Sequence, residues 1–288
     1  MSTAGWRYYN HAMIPDLPPH KKVDLTSIES REIWKNTEGK RPLFARWTSN
    51  FDCGYETNWW YCIKDEPLDI LKLNSNYRYK INKGCKLFNV KKINPIEYID
   101  ALYDVFIEAF SSWPDKYRPE FNYDDAINLF KKLSNDPTMV CYGAFYKKNN
   151  ELCGFMQVPT YNSYVELQVQ RVKPSYEKYQ INAALIYKVL SDCKEKLDKG
   201  AYVCDGERNI LHETHFQDYL EKYFGFRKAY CKLNIDYNPK IKWIVKLIYP
   251  LRKIFYKFDN NKLFHNINGV MKMEEIIRQD KKEGKYYD

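Results

Sequence analysis

The chain has 288 residues, with 46 Lys plus Arg against 37 Asp plus Glu, a formal net charge of +9. Apolar residues at 44% and aromatics at 17% promise a packed core, while 11 Gly and 13 Pro exclude collagen-like and low-complexity chains. The basic surplus suits an anionic partner, whether a phosphorylated ligand, nucleic acid or a membrane surface, without selecting among them.

This length fits one large domain or two of ordinary size, and no repeat of solenoid or propeller period is present. No stretch approaches the roughly 18 uninterrupted apolar residues of a membrane span. The start, "MSTAGWRYYNHAMIPDL", lacks the apolar core of a signal peptide. Eight scattered cysteines without a CxxC pair suit free thiols in a reducing cytoplasm.

In chain order, 1–42 reads as an extended arm with one short helix near 27–35. "RPLFARWTSNFDCGYETNWWYCIKD" (41–65) reads as a strand pair around a polar loop. "LDILKLNSNYRYKINKG" (68–84) predicts a basic helix stopped by Gly84, and "CKLFNVKKI" a strand. From Pro95, Ile99, Leu102, Val105, Phe106 and Ala109 form a helical stripe, and "YDDAINLFKKLSND" continues as a second helix. Three strands follow over 139–172, then a long helix, the strand "GAYVCDG", a helix over 212–224 and the strand "FRKAYCKLNIDY". The order α-α-β-β-β-α-β-α-β implies an α/β (α+β) protein with a sheet of mixed direction.

That order resembles the GNAT acyltransferases. "RVKPSYEKYQINAAL" (171–185) sets Val172, Pro174 and Tyr176 in the family's V-x-P-x-Y segment, with Ile181 and Leu185 in matching places. "YLEKYFGF" (219–226) is similar to the family's late Y-x-K-x-G-F motif. The three glycine positions of its pyrophosphate loop hold Lys178, Gln180 and Asn182 instead. The GNAT-like branch tolerating this loss is the Fem-type group, which uses aminoacyl-tRNA and pairs two GNAT-like halves. "LKLNSNYRYKINKGCKLFNV" (71–90) resembles the connection between such halves, and the whole resemblance spans 45–237. It implies a GNAT-like mixed sheet flanked by helices, with a smaller degenerate N-terminal half. The expected division is 1–94, the arm and degenerate half, then 95–238, the acyltransferase domain, then 239–288, a basic amphipathic tail. The chain also resembles an uncharacterised bacterial family carrying "RYYNHA", "WWYCIKD" and "DGERNILHETHFQDYLEKYFGFRKAYC", which implies kinship and no particular reaction.

"CDGERNILHETHF" (204–216) holds His212 and His215 three apart, which is not the zinc-protease spacing. No metal site is expected. Two readings fit its polar residues: a capping network at a helix start, or an acceptor site at a strand end, where α/β sheets border their ligands. On the second, His212 and Glu213 are candidate bases, and Asp205 and Arg208 bind the acceptor. Glu166 in "SYVELQVQ" is another candidate base. The resemblance makes Tyr219, or its neighbour Tyr223, a candidate leaving-group acid. Asp52 and Trp59 suit a sugar-binding groove, although core packing explains the tryptophan equally. The resemblance implies that Val172, Lys173, Lys178, Gln180 and Asn182 contact the donor, acyl-CoA or aminoacyl-tRNA, a co-substrate with no permanently bound cofactor.

In "KIKWIVKLIYPLRKIFYKF" (240–258), Ile241, Ile244, Ile248, Leu251, Phe255 and Phe258 recur at steps of three and four. Val245, Leu247 and Ile254 widen this stripe, Lys242, Lys246, Lys253 and Lys257 form another face, and Pro250 kinks or splits the helix. It can lie on an anionic membrane or dock on the main body. Together these features suggest an acyl- or aminoacyltransferase acting on an amine or hydroxyl of a cell-envelope glycan precursor. Its place would be cytoplasmic, peripheral on the inner membrane face if the tail binds lipid. A tRNA partner follows only from an aminoacyl-tRNA donor, and DNA is not expected. The alternative is a non-catalytic GNAT-like binding module of a membrane-associated assembly.

Overall fold

The computed structural model describes residues 5–35, 41–115, 118–210, 215–259 and 261–284. They form two compact units, each discontinuous in sequence. The first comprises 1–61, 207–215 and 228–288; the second comprises 62–206 and 216–227.

In the first unit, β1 (Trp6–Tyr9) and β2 (Ala12–Pro15) form an antiparallel hairpin where an extended arm was expected. Asn10 and His11, both at positive φ, supply the left-handed pair that a two-residue hairpin turn needs. The predicted helix near 27–35 is a single turn, α1 (Thr26–Glu29), followed by the 3-10 turn Glu32–Trp34. β2 runs parallel to β3 (Phe44–Ser49), whose other edge takes β11 (Arg227–Tyr237) antiparallel, from Phe44↔Tyr237 to Ser49↔Lys232. With both its edges occupied, β3 does not form a hairpin with β4 (Trp59–Lys64). Trp6, Met13, Ile28, Ile33 and Ala45 form one core cluster. Phe44, Trp59, Cys231, Leu233 and Tyr237 form another, beneath α8 (Pro239–Ile248) and α10 (Lys262–Lys282). Between those helices, Pro250 ends α8 in the 3-10 turn Tyr249–Leu251, and α9 (Arg252–Phe255) follows, so the segment is split as expected. α10 had no clear sequence signal; it is held by buried Asp280, which accepts from the Asn58 backbone N–H (3.0 Å) and side-chain amide (2.7 Å).

The second unit opens with α2 (Ser75–Leu87) and β5 (Phe88–Ile93). Next come α3 (Ile99–Ser111) and α4 (Tyr123–Asn135), the latter started by a capping box between Asn122 and Asp125. β6 (Met139–Tyr146), β7 (Glu151–Pro159), β8 (Tyr164–Glu166) and β9 (Val169–Val172) follow, so the third expected strand is broken in two. Then come α5 (Ile181–Asp192), α6 (Lys194–Asp198), β10 (Tyr202–Glu207) and α7 (Phe216–Phe224). β5-β6-β7-β9 is an antiparallel sheet, and β8 pairs parallel with β10, which gives the expected mixed direction. Phe106, Phe110, Phe130 and Phe155 anchor the core between α3, α4 and the sheet. Gly84 does not stop α2, which continues to Leu87. A Cβ there would lie 2.4 Å from the Gln180 carbonyl oxygen, so Gly84 permits the close approach of α2 to the start of α5.

All eight cysteines are free thiols. Among the described residues no helix is long and apolar enough to cross a membrane.

Candidate functional site

The strand break in the second unit creates a fork. β8 follows β10 as far as the pair Glu166↔Cys204, and the Leu167 N–H still donates to the Cys204 carbonyl at 2.8 Å. The Gln168 N–H then turns to the Gln157 carbonyl (3.1 Å), and β9 continues along β7 alone. Past Glu166 the two strands diverge, and Asp205 is the first residue of β10 beyond the last pair. Strand ends of α/β sheets border ligand crevices for this reason: their backbone groups lack a neighbouring strand.

Asp205 is half-buried there. Burial raises its carboxyl to about 7, against the pull of a hydrogen bond from Gln217, and the charge of Glu166 adds to the rise. Gln217, itself buried, lies in the first turn of α7. A carboxyl that changes charge near neutrality can accept and return a proton at little cost, the property wanted of a general base.

At the other end of β9, Val172 is buried and leads through the 3-10 turn Pro174–Tyr179 to α5. Gln180, last before the helix, holds φ +67°, a backbone conformation that glycine adopts without cost. The loop thus keeps a glycine-like turn although its glycines are replaced. The N–H groups of Ile181, Asn182 and Ala183 open α5 ahead of its first intrahelical bond, from Ala184 to Gln180. Asn182 Oδ1 accepts from Gln170 Nε2 of β9 at 2.5 Å, and the Lys178 carbonyl accepts from Lys83 Nζ at 3.2 Å. Lys173 is held between Glu108 and Glu151, 2.9 Å from each, so its charge already has two partners. Hydrogen bonds from Tyr176 (2.7 Å) and Lys173 keep the Glu151 carboxyl below its usual range.

In α7, Leu220 and Phe224 face the core, Phe216 and Tyr223 are half-buried, Asp218 and Lys222 are exposed, and Gly225 follows the helix at φ +67°. Its two tyrosines differ. Burial pushes the Tyr219 hydroxyl well above its ordinary value. Tyr223 accepts a 2.9 Å hydrogen bond from Lys80 Nζ, which lowers its pKa and makes it the better proton donor.

Arg208, Asp52 and Trp59 belong to the first unit. Arg208 clamps the start of β4, its backbone N–H donating to the Trp60 carbonyl (2.9 Å) and its guanidinium to the Asn58 carbonyl (2.6 Å). Trp59 is 1% exposed and donates to Thr48 Oγ1 (3.3 Å), with Arg46 over its ring. Asp52 is exposed at φ +56°, in a loop tied to the Tyr230 carbonyl through the Cys53 N–H (2.9 Å). Arg46 forms an ion pair with Glu207, whose other oxygen accepts from Tyr61 at 3.4 Å. His212 and Glu213 lie outside the described residues.

No known family profile matches the chain, and no curated protein matches it in sequence. Solved structures do. The structure of FemX superposes with a TM-score of 0.53 over 77% of each chain, at 9% identity. The chain therefore has a fold like that of FemX. L-PGS from Bacillus licheniformis matches at TM-score 0.47 and 14% identity, over 84% of each chain. The PaiA N-acetyltransferase from Thermoplasma acidophilum, solved with coenzyme A, matches 38% of this chain and 73% of its own at TM-score 0.31 and 20% identity.

Within this FemX-like fold, the second unit holds Glu166, Asp205, Tyr219 and the Val172–Asn182 loop. Two participants have no place in the sequence pattern, and a third, Gly84, reads there as a helix stop. Gln217 carries no sequence signal, since its partner lies twelve residues upstream. Lys80 sits in a basic helix whose lysines look alike in sequence. Gly84 was visible, because glycine inside a helical pattern marks close packing as well as a stop.

Proposed function

We propose that the protein is an acyl- or aminoacyltransferase that moves an acyl group onto an amine or hydroxyl of a cell-envelope glycan or related precursor. The observation that carries this reading is Asp205, half-buried at the apex of the strand fork with its carboxyl raised to about 7. The donor, an acyl-CoA thioester or an aminoacyl-tRNA ester, would lie along the fork with its phosphates toward the start of α5, whose first N–H groups have no intrahelical acceptor and suit an anion. Gln180 keeps the turn, and Lys178 and Asn182 supply side chains where glycines would leave bare backbone.

The acceptor N–H or O–H donates to the Asp205 carboxylate and attacks the donor carbonyl as the proton moves to Asp205. Glu166 keeps that carboxylate basic. Backbone N–H groups near 172–182 steady the oxyanion. The C–S or C–O bond then breaks, and the departing thiolate or alkoxide takes a proton from Tyr223, or from Tyr219 beside it. His212 and Glu213 as bases, and Arg208, Asp52 and Trp59 as acceptor-binding residues, stand as proposals from the sequence alone. The linear parts 1–94, 95–238 and 239–288 are likewise proposed as a degenerate GNAT-like half, an acyltransferase half and a tail.

The ion pairing of Lys173 favours a second reading, a GNAT-like module that binds no donor. Thermal unfolding with acetyl-CoA, longer acyl-CoAs and aminoacyl-tRNA separates the two. An enzyme shows saturable stabilisation by one donor, which Asp205→Asn retains while losing transfer. No shift with any donor would remove the enzymatic reading.

A further inference from the structure

The C-terminal segment 239–258 carries two apolar stripes of the same helical period, facing opposite ways. Ile241, Val245, Ile248, Tyr249 and Tyr256 pack inward on the core of the first unit. Trp243 and Leu247 are 72% and 78% exposed, and Ile244, Leu251, Ile254 and Phe258 are at least half exposed. The spacing of these six, at steps of three and four after Trp243, gives one continuous outward stripe across the break at Pro250. The six-residue stripe expected from sequence is therefore divided, with Ile241 and Ile248 docked, Phe255 half-buried against Phe264, and Ile244, Leu251 and Phe258 outside. Docking explains the inward stripe alone.

The charge around the outward stripe has one sign. Lys240, Lys242, Lys246, Lys253 and Lys257 are all exposed, and the segment contains no Asp or Glu. The neighbouring acids are already engaged: Asp259, next in sequence, pairs with His265 (2.9 Å) and accepts from Asn268 (2.7 Å). Glu275 accepts from Arg252 (3.1 Å) and Tyr256 (3.2 Å), and Glu274 from Tyr237 (2.9 Å) and Arg278 (2.8 Å). Water solvates the lysines but not a stripe of six large apolar side chains, one of them a tryptophan. A bilayer interface accommodates both. Acyl chains take the apolar stripe, the indole sits at headgroup depth, and lysines reach back to lipid phosphates.

We propose that this outward face of 239–258 docks on an anionic lipid bilayer, lying in the plane of the interface without crossing it. The proposal stands apart from the acyl-transfer reading and requires no activity. Full-length protein is sedimented with vesicles of phosphatidylglycerol mixed with phosphatidylcholine, and with phosphatidylcholine alone. Binding to the mixed vesicles is expected, weakening as salt rises. The double variant Trp243→Glu/Leu247→Glu and the triple variant Lys242→Glu/Lys246→Glu/Lys253→Glu should each bind about tenfold more weakly or less. Neither should shift thermal unfolding, because these side chains face outward. Wild-type protein left in the supernatant, or variants that bind as wild type does, would overturn the proposal. So would a dimer in light scattering that Trp243→Glu dissociates without any vesicle binding, which assigns the face to a second copy.

Discussion

Asp205 and Glu207 are two residues apart in β10, yet their carboxylates are treated oppositely. Glu207 is paired with the Arg46 guanidinium and accepts from Tyr61, in a cluster of the first unit closed by Thr48 and Trp59. Asp205, in the second unit, has the amide of Gln217 and the like charge of Glu166. Burial is costly for either charge, and among the described residues a cation offsets Glu207 and not Asp205. The contrast separates a carboxylate that holds strands together from one that holds a proton.

Four outcomes would break or sharpen that contrast. The largest concerns catalysis: Asp205→Asn should lower acyl transfer by roughly 100-fold or more, in steady-state kinetics with whichever donor binds. Next, Glu207→Ala should cost about 2–4 kcal/mol in urea unfolding, because it strands the Arg46 charge. Asp205→Asn should do the reverse and stabilise the protein at pH 8. A common sign for the two variants would dissolve the distinction.

The third outcome is a pH dependence. The Asp205 carboxyl is raised in the folded state, so its contribution to stability is full below its unfolded value near 3.8. It is lost as pH rises through about 7. Wild type should therefore lose on the order of 2–4 kcal/mol relative to Asp205→Asn between those limits, followed by denaturation at fixed salt. The smallest effect is at the donor loop. Gln180→Gly relieves a left-handed residue and should change stability by less than about 1 kcal/mol. Donor affinity should hold or rise, as read by calorimetry.

Much of the scaffold was legible because it rests on periodicity. The α3 stripe, the α4 helix, the meander and the Pro250 break are local patterns that survive folding. What was missed depends on contacts between distant residues. Gly84 read as a stop, when its role is set by a carbonyl ninety-six positions away. β3 and β4 read as a pair because β11, which borders β3, comes far later in sequence. Asp205 could be named from its place after a buried strand. Its protonation could not, since that follows from burial and from Glu166 and Gln217 arriving on other elements. The two stripes of 239–258 read as one, because which side docks depends on α10.

The most direct measurement is a carbon-13 NMR titration of the aspartate carboxyls, with the Asp205 signal assigned by its absence in Asp205→Asn. The account predicts a midpoint near 7. A midpoint near the ordinary 3.8 would show an ionised carboxylate at neutral pH and contradict its role as the proton carrier.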